Sequence, residues 1–496
     1  MNKKQFNRYI PKALKIELDK FDYPRKDNLY TIIDLIQRKE IFFKSDAQKR
    51  YGYAEIPISQ FKELIPSSNN LNADMKFLIE NKFIIRNERY ITGVSSKSYK
   101  ISSEYLGNTI AVKIQDNNIN QRIWKQIQSN KRKRVKNLEF AKTEYFKNFK
   151  IDYLGAKLAI YEKAEKEIIE LCAEIKIPIQ KNQINDIINC DPKGNTIKYV
   201  ILKTQKGSEL HNIIHRYMVY NTRLNAINDG FLFFKRNKTN GRLDSNLTSL
   251  PSFLRPFIQS DERLMNIDIK NSQPFFLFTL IKNNPTIDEE ELSLYMELVI
   301  NGTLYDYLKD EYNNRYNKFW DRDQMKKMLF KIYYSKITSY STYKDFYSSI
   351  FPSIMQFINS ENEVFHNTLS VRLQTTESFA VLDTIMPMLE EEVGIRPYTI
   401  HDSFVCKESE ANQIIETIKN KFVELFGHAP ALHSNYIDEI EEEDDTLFDW
   451  DDDLYLIEEY SEEEVKPRNP FNQIIVSYSK EERNRIEKEL GLKKII

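Results

Sequence analysis

The sequence predicts an α+β protein: a helix-rich chain around a small antiparallel sheet, preceded by a compact helical unit that ends in a hairpin. Three observations predict it. Apolar residues recur at helical spacing in stretches such as NLYTIIDLIQR, ISQFKELI and DRDQMKKMLFKIYYS. Two other stretches, RLMNIDI (263–269) and YTIHDSFVCKES (398–409), have strand composition, and each carries one isolated aspartate among apolar neighbours. At 496 residues, 41% hydrophobic and 29% charged, the chain is long enough for more than one packed unit.

Composition narrows the function classes. No apolar run is long enough to span a bilayer, and the first 27 residues lack the apolar block of a secretory signal. Three scattered cysteines, Cys172, Cys190 and Cys406, make neither a disulfide framework nor a zinc knuckle. A reducing, cytoplasmic setting with no membrane partner is therefore expected. The net charge of −1 hides a segregation. Between Asp438 and Glu464 stand sixteen Asp or Glu and no Lys or Arg, so setting those sixteen charges aside leaves the other 469 residues at +15. A body that basic suits a polyanionic partner.

Residues 1–27 read as an N-terminal arm. Residues 28–105 read as three amphipathic helices, the third around 70–81 behind Ser and Asn caps, followed by two alternating strands around Gly93. That order resembles a winged-helix DNA-binding domain with 70–81 as its recognition helix; it equally fits a small helical interaction module. Residues 106–150 read as a basic connector whose densest part, SNKRKRVKN (129–137), offers Lys131, Arg132, Lys133 and Arg134 to backbone phosphates. Residues 151–257 are mostly helical. His211 and His215 lie four apart there without a third ligand, so they read as ordinary helix histidines. Residues 258–435 hold both isolated aspartates, 436–467 form the acidic segment, and 468–496 end in a helical tail. The acidic segment reads as a disordered, solvated stretch. Leu447, Phe448 and Trp450, set among aspartates, could mimic nucleic acid or dock on replication proteins.

The chemistry rests on three features. Asp402 sits between a TyrThrIle arm and a PheValCys arm, at the tip of an expected hairpin whose turn is His401, Asp402 and Ser403. Asp268 lies between Ile267 and Ile269 at the end of an expected strand, before the apolar run that follows Pro274. Two such carboxylates could hold a pair of divalent cations for phosphoryl transfer. Singly, each is more often a turn former or a helix cap. The third feature is a helix opened by Asp321, on which Arg322, Lys326, Phe330 and Tyr334 recur every four residues and so share a face. Two cations followed by two aromatics suit a triphosphate gripped at one end and a base stacked at the other. An amphipathic surface helix is the plainer reading, but it leaves the shared face of cations and rings unexplained.

At these residues the chain resembles the family A DNA polymerases and their single-subunit RNA polymerase relatives, collinearly over about 215–425. TNGRLDSNLTSLP (239–251) is similar to the segment where the thumb enters the palm, which implies Arg242 at the primer minor groove. IDIKNSQPFF is similar to motif A, implying Asp268 and the backbone carbonyl of Ile269 as metal ligands. RDQMKKMLFKIYY matches motif B, giving Arg322 and Lys326 to the triphosphate and Phe330 and Tyr334 to the nucleotide and template base. LQTTESFAVLDTIM (373–386) resembles the helix whose Gln, here Gln374, contacts the minor groove. IHDSF is similar to motif C, with Asp402 as second metal ligand and His401 beside the primer end.

The resemblance implies a right-hand polymerase: a palm of antiparallel sheet with helical fingers across 258–435, and a thumb-like region in 151–257. It implies two Mg²⁺ ions (Mn²⁺ as a substitute), with Lys326 as a proton donor to the leaving group, and a DNA primer-template and dNTPs as partners. Departures bear on the substrate. Asn240 interrupts Thr-Gly-Arg, Ser272 and Gln273 come two places late in motif A, Lys331 and Ser335 replace glycines of motif B, and Ser403 stands where DNA polymerases have Glu. The family's sugar-gate position falls on Gln273 without gaps and on Phe275 with the displaced pair; both are bulky and favour deoxynucleotides. Ser403 is the choice of the RNA-making relatives. No paired-carboxylate exonuclease motif precedes residue 215, so proofreading is not expected. The expectation is a DNA polymerase for replication of a phage or plasmid, with an RNA polymerase or primase as rival. A winged-helix replication initiator with a degenerate palm is the alternative of a different class.

Overall fold

The computed structural model describes residues 5–42, 53–87, 97–132, 138–189, 200–201, 204, 206–363 and 365–439 of the chain. Among the described residues no helix is long and apolar enough to cross a membrane.

Strand β1 (Asn7–Pro11) turns at Pro11 into the helix Lys12–Asp19 and pairs antiparallel with β5 (Thr109–Lys113), Asn7 opposite Lys113. Residues 7–19, read from sequence as an arm, are thus part of a packed unit. Ile10, Leu14 and Leu18, four apart, are fully buried in it. Between these strands lie the helices Lys26–Phe42, Ile58–Leu64 and Ser68–Glu80. A three-stranded sheet covers them, in the order β2 (Ala54–Glu55), β4 (Ser98–Ile101), β3 (Ile84–Arg86). Gly93, the expected turn of the hairpin, lies outside the described residues. Ser67 caps the third helix by accepting from the Asn70 N–H. Asp74, fully buried in that helix, accepts from the Tyr23 hydroxyl, the Arg25 guanidinium and the Asn28 amide, which pins the helix to the chain before it.

The described parts of the expected connector, 106–132 and 138–150, are folded as well. The helix Asn117–Arg132 buries Ile119, Ile123 and Ile127, and the helix Glu139–Asn148 buries Tyr145 in an aromatic group with Phe149, Phe234 and Tyr398. Apolar residues four apart on a basic helix let one face solvate while the other packs. The helices Tyr153–Glu174 and Gly207–Asn228 then pack side by side. A short hairpin, β6 (Phe234–Arg236) and β7 (Leu243–Ser245), leads to the main sheet. Its loop needs a left-handed residue at Gly241 (φ +72°), where a Cβ would press on Arg236 and Ser378.

The main sheet is four-stranded and antiparallel, in the order β11 (Leu432–Tyr436), β8 (Leu264–Ile269), β10 (Ser403–Lys407), β9 (Tyr398–Ile400). Behind it the helices Ser272–Ile281 and Ala411–Phe426 bring Phe275, Phe276, Phe422 and Phe426 into one cluster. The helices Glu289–Ile300, Leu304–Tyr316, Arg322–Tyr334, Ser341–Ser348 and Pro352–Glu361 form a second group. The helix Thr368–Ser378, continued through π-helical turns at Phe379–Ile385 and Leu389–Val393, leads back to β9. Of the acidic segment only residues 436–439 are described; Asp438 and Glu439 pair with Arg263, the residue before β8.

Candidate functional site

Two adjacent strands bring the isolated aspartates together. In the β8–β10 ladder Asp268 is the partner of Ser403, so Asp402 sits one residue from the position opposite Asp268. Strand spacing then sets their α-carbons on the order of 6 Å apart. The hairpin tip is two residues, His401 and Asp402, and Ser403 already belongs to β10. A loop that short needs a positive φ, which His401 supplies at +55°. The Ser403 hydroxyl is buried and donates to the Ile400 carbonyl at 3.0 Å, closing the hairpin. On the other side of β8, exposed His433 of β11 is the partner of Asp268.

The helix Arg322–Tyr334 begins with a capping box: Asp321 accepts from the Gln324 N–H at 2.8 Å, and the Gln324 side chain accepts from the Asp321 N–H at 3.0 Å. Met325, Met328, Leu329, Ile332 and Tyr333 are its buried residues, whereas Arg322, Lys326, Phe330 and Tyr334 all stay half-buried. Lys326 has no hydrogen-bond or ion-pair partner among the described residues. Phe330 and Tyr334 stack with centroids 5.5 Å apart. The far side is anchored by the Tyr295 and Tyr333 hydroxyls, 2.8 Å apart, and by the Asn362 amide donating to the Tyr333 carbonyl at 2.7 Å.

A residue that sequence reasoning missed joins the two parts. Tyr305, buried at the start of the helix Leu304–Tyr316, lies under the Arg322 guanidinium, 5.1 Å from the ring centroid. Burial first, then the charges of Asp402 and Asp268, push its hydroxyl well above the ordinary tyrosine value, while Arg322 opposes them. Both carboxylates therefore act on one tyrosine that also touches the cationic stripe. Nothing in the local sequence singles out this tyrosine among the chain's 29. Arg322 also approaches Asp306 at 3.7 Å, a partly exposed and weak pair.

The donor set fits an oxygen-seeking cation. Among the described residues no cluster of three or more His, Cys, Asp or Glu is arranged to hold a metal. Two carboxylates and the backbone carbonyl of Ile269 are oxygen donors of the kind that suits Mg²⁺, which is commonly bound by one or two carboxylates plus phosphates and water. Just beyond Ile269, the buried side chains of Asn271 and Ser272 have polar atoms without a hydrogen-bond partner.

Arg242, Gln374, Gln273 and Phe275 are turned inward. Arg242 donates from Nε and Nη2 to the Glu377 carboxylate at 2.9 and 2.8 Å and is 11% exposed. Gln374 is buried and accepts from the Asn240 amide at 2.8 Å. Gln273 is buried too: its Nε2 donates to Glu377 at 2.6 Å and its Oε1 accepts from the Tyr334 hydroxyl at 2.9 Å. Phe275, the other gate candidate, lies fully buried among Phe422 and Phe426. Burial, with Arg242 and Arg255 nearby, holds the His401 imidazole well below its ordinary value and hence neutral. Its Nδ1 has no hydrogen-bond partner. Lys131 and Arg132 close the helix Asn117–Arg132, and Lys133 and Arg134 lie outside the described residues.

No family model and no curated protein matches the chain. Among solved structures, the chain is similar to the POL domain of Pol1 from M. smegmatis in complex with DNA primer-template and dNTP. The match has 12% identity and a TM-score of 0.41, over 64% of this chain and 72% of that one.

Proposed function

We propose that this chain is a template-directed nucleotidyltransferase, a DNA polymerase of the family A type without proofreading. One observation carries the reading: Asp268 and Asp402, 134 positions apart in sequence, meet on the neighbouring strands β8 and β10. Two Mg²⁺ ions held by Asp268, Asp402 and the Ile269 carbonyl would lower the pKa of a primer 3′-hydroxyl and neutralise the leaving pyrophosphate. Arg322 and Lys326 would bind the triphosphate, and Lys326 would give its proton to the leaving group. Phe330 and Tyr334 form the stacking surface for the nascent pair.

The sugar gate falls to Gln273, because Phe275 belongs to the core behind the sheet. Its bulk beside Tyr334 supports deoxynucleotides. The Ser403 hydroxyl donates to the Ile400 carbonyl and closes the hairpin. Arg242, Gln374 and His401 would line the primer side, Arg242 after leaving Glu377. The N-terminal unit serves as a winged-helix reader of duplex DNA. Asn69, Asn70, Asn72 and Lys76 form the exposed face of its third helix, and Asn is a side chain that pairs with adenine edges. The setting we infer is cytoplasmic replication of a phage or plasmid.

Extension of a labelled primer tests the reading, run with dNTPs, with rNTPs and with no primer, on wild type and Asp402→Ala. Expected is dNTP-dependent, Mg²⁺-dependent extension that the substitution abolishes. Product from rNTPs without a primer would favour the primase reading. DNA binding without extension under any condition would favour the initiator.

A further inference from the structure

We propose that Glu377 is a positioning residue for sugar selection: it sets the orientation of Gln273, and through it the Tyr334 hydroxyl, and ties both to Arg242. The inference rests on the polymerase reading above. Glu377 is 1% exposed and lies on the helix Thr368–Ser378, outside the strands and the helix that carry the metal-binding and nucleotide-binding residues. Its carboxylate accepts from Arg242 at 2.9 and 2.8 Å and from Gln273 Nε2 at 2.6 Å. An ionised carboxylate can only accept. The Gln273 amide must therefore turn its NH₂ toward Glu377 and its oxygen toward Tyr334, and the Tyr334 hydroxyl must donate, as it does at 2.9 Å. With no acceptor-only group at that end, the amide could rotate and offer its NH₂ to Tyr334, whose hydroxyl would then be released into the pocket.

Two features make this an arrangement for the pocket rather than a plain buried ion pair. The chain of bonds ends on Tyr334, which stacks on Phe330 on the half-buried stripe. It begins on Arg242, whose backbone N–H donates to Asn240 Oδ1 at 3.0 Å, while the Asn240 amide donates to Gln374. Residues at the primer side and at the sugar side of the site thus share one carboxylate. A disturbed primer end that draws Arg242 away changes the charge balance on the group that orients the gate.

The test compares dNTP and rNTP incorporation, as kcat/KM on a primed template, for the full chain. Glu377→Gln keeps the shape but can donate. Expected is a fall of about tenfold in dNTP over rNTP preference, the size of one hydrogen bond to a charged group. Tyr334→Phe should give a similar fall, and adding Glu377→Gln to it should give no further one, since both act through the same bond. A second pair covers the risk that Glu377→Gln fails to fold. Gln273→Glu alone sets two carboxylates against each other, whereas Gln273→Glu with Glu377→Gln restores one acceptor for Tyr334 and one donor between the two positions. The double variant should recover preference to within a few-fold of wild type. An unchanged preference in Glu377→Gln, or multiplying effects with Tyr334→Phe, or no recovery in the swapped pair, overturns the proposal while extension by wild type leaves the polymerase reading standing. A wild type that extends no primer overturns both.

Discussion

Asp268 and Asp402 sit at one end of the main sheet and are half-buried. Charge at these two positions is what the proposed chemistry needs, and neither side chain fills the core. Asp268→Asn or Asp402→Asn should therefore lower primer extension on the order of 10³-fold or more while leaving the melting temperature near that of wild type. An equal loss of activity and of folding would assign them a structural role instead. Tyr305 separates differently: its ring lies under the Arg322 guanidinium. Tyr305→Phe should leave nucleotide KM close to wild type, and Tyr305→Leu should raise it about fivefold by removing the ring beneath the guanidinium. Steady-state kinetics with a single nucleotide distinguish the two.

The helix Arg322–Tyr334 aims the cationic stripe, and its first turn depends on one side chain. Asp321 and Gln324 satisfy each other's backbone N–H groups, and Arg322 is the first helical residue. Asp321→Ala should cost about 1 kcal/mol of local stability. It should speed amide exchange over the first turn and weaken nucleotide binding, with little change at Tyr333, whose hydroxyl and carbonyl are held from behind. Uniformly faster exchange along the helix would point to a lost global contact. The β9–β10 hairpin depends on a conformation as well as on composition. Its alternation was legible in the sequence, but the turn is two residues instead of the three expected, because His401 takes the left-handed region and Ser403 enters the strand.

Across the whole molecule, the N-terminal unit is docked on the rest by a small charged and aromatic cluster. The Phe231 ring lies 5.9 Å from the Arg8 guanidinium and 4.8 Å from that of Arg38. Arg8 and Arg38 pair with Asp34, and the Tyr9 hydroxyl donates to Asp229 at 2.9 Å. The Gln37 amide donates to Thr222 nearby. Burial pushes the Asp229 carboxyl from 3.8 up to about 6, against the Tyr9 hydrogen bond and the two arginines. A folded value above the unfolded one means that the folded state binds the extra proton. This group's contribution thus favours folding below pH 4, weakens as pH rises from about 4 to about 6, and is constant above that. The size is at most about 3 kcal/mol. In chemical denaturation, wild type minus Asp229→Asn should show that slope between pH 4 and 6; parallel curves would mean that Asp229 does not hold the proton. Phe231→Ala should cost about 3 kcal/mol and loosen the N-terminal unit first in limited proteolysis.

How much of this was legible follows from the range of the interactions. Periodicity and caps mark the helix after Asp321, the two strands with their isolated aspartates and the Arg-Lys-Phe-Tyr stripe, because each depends on residues within a few positions of one another. That residues 7–19, 106–132 and 138–150 pack with the rest was not legible: β1 pairs with β5 across about a hundred residues, and a basic amphipathic helix looks the same whether solvated or docked. Tyr305 and Glu377 were invisible for the same reason, as each matters through partners on other elements. The surroundings of Gln273 and Phe275 needed packing, since only the tertiary structure gives one of them a hydrogen-bonding tyrosine and the other a cluster of phenylalanines. Local order is written in neighbouring side chains, whereas a site assembled from strands 134 residues apart exists only once strand register has closed the distance.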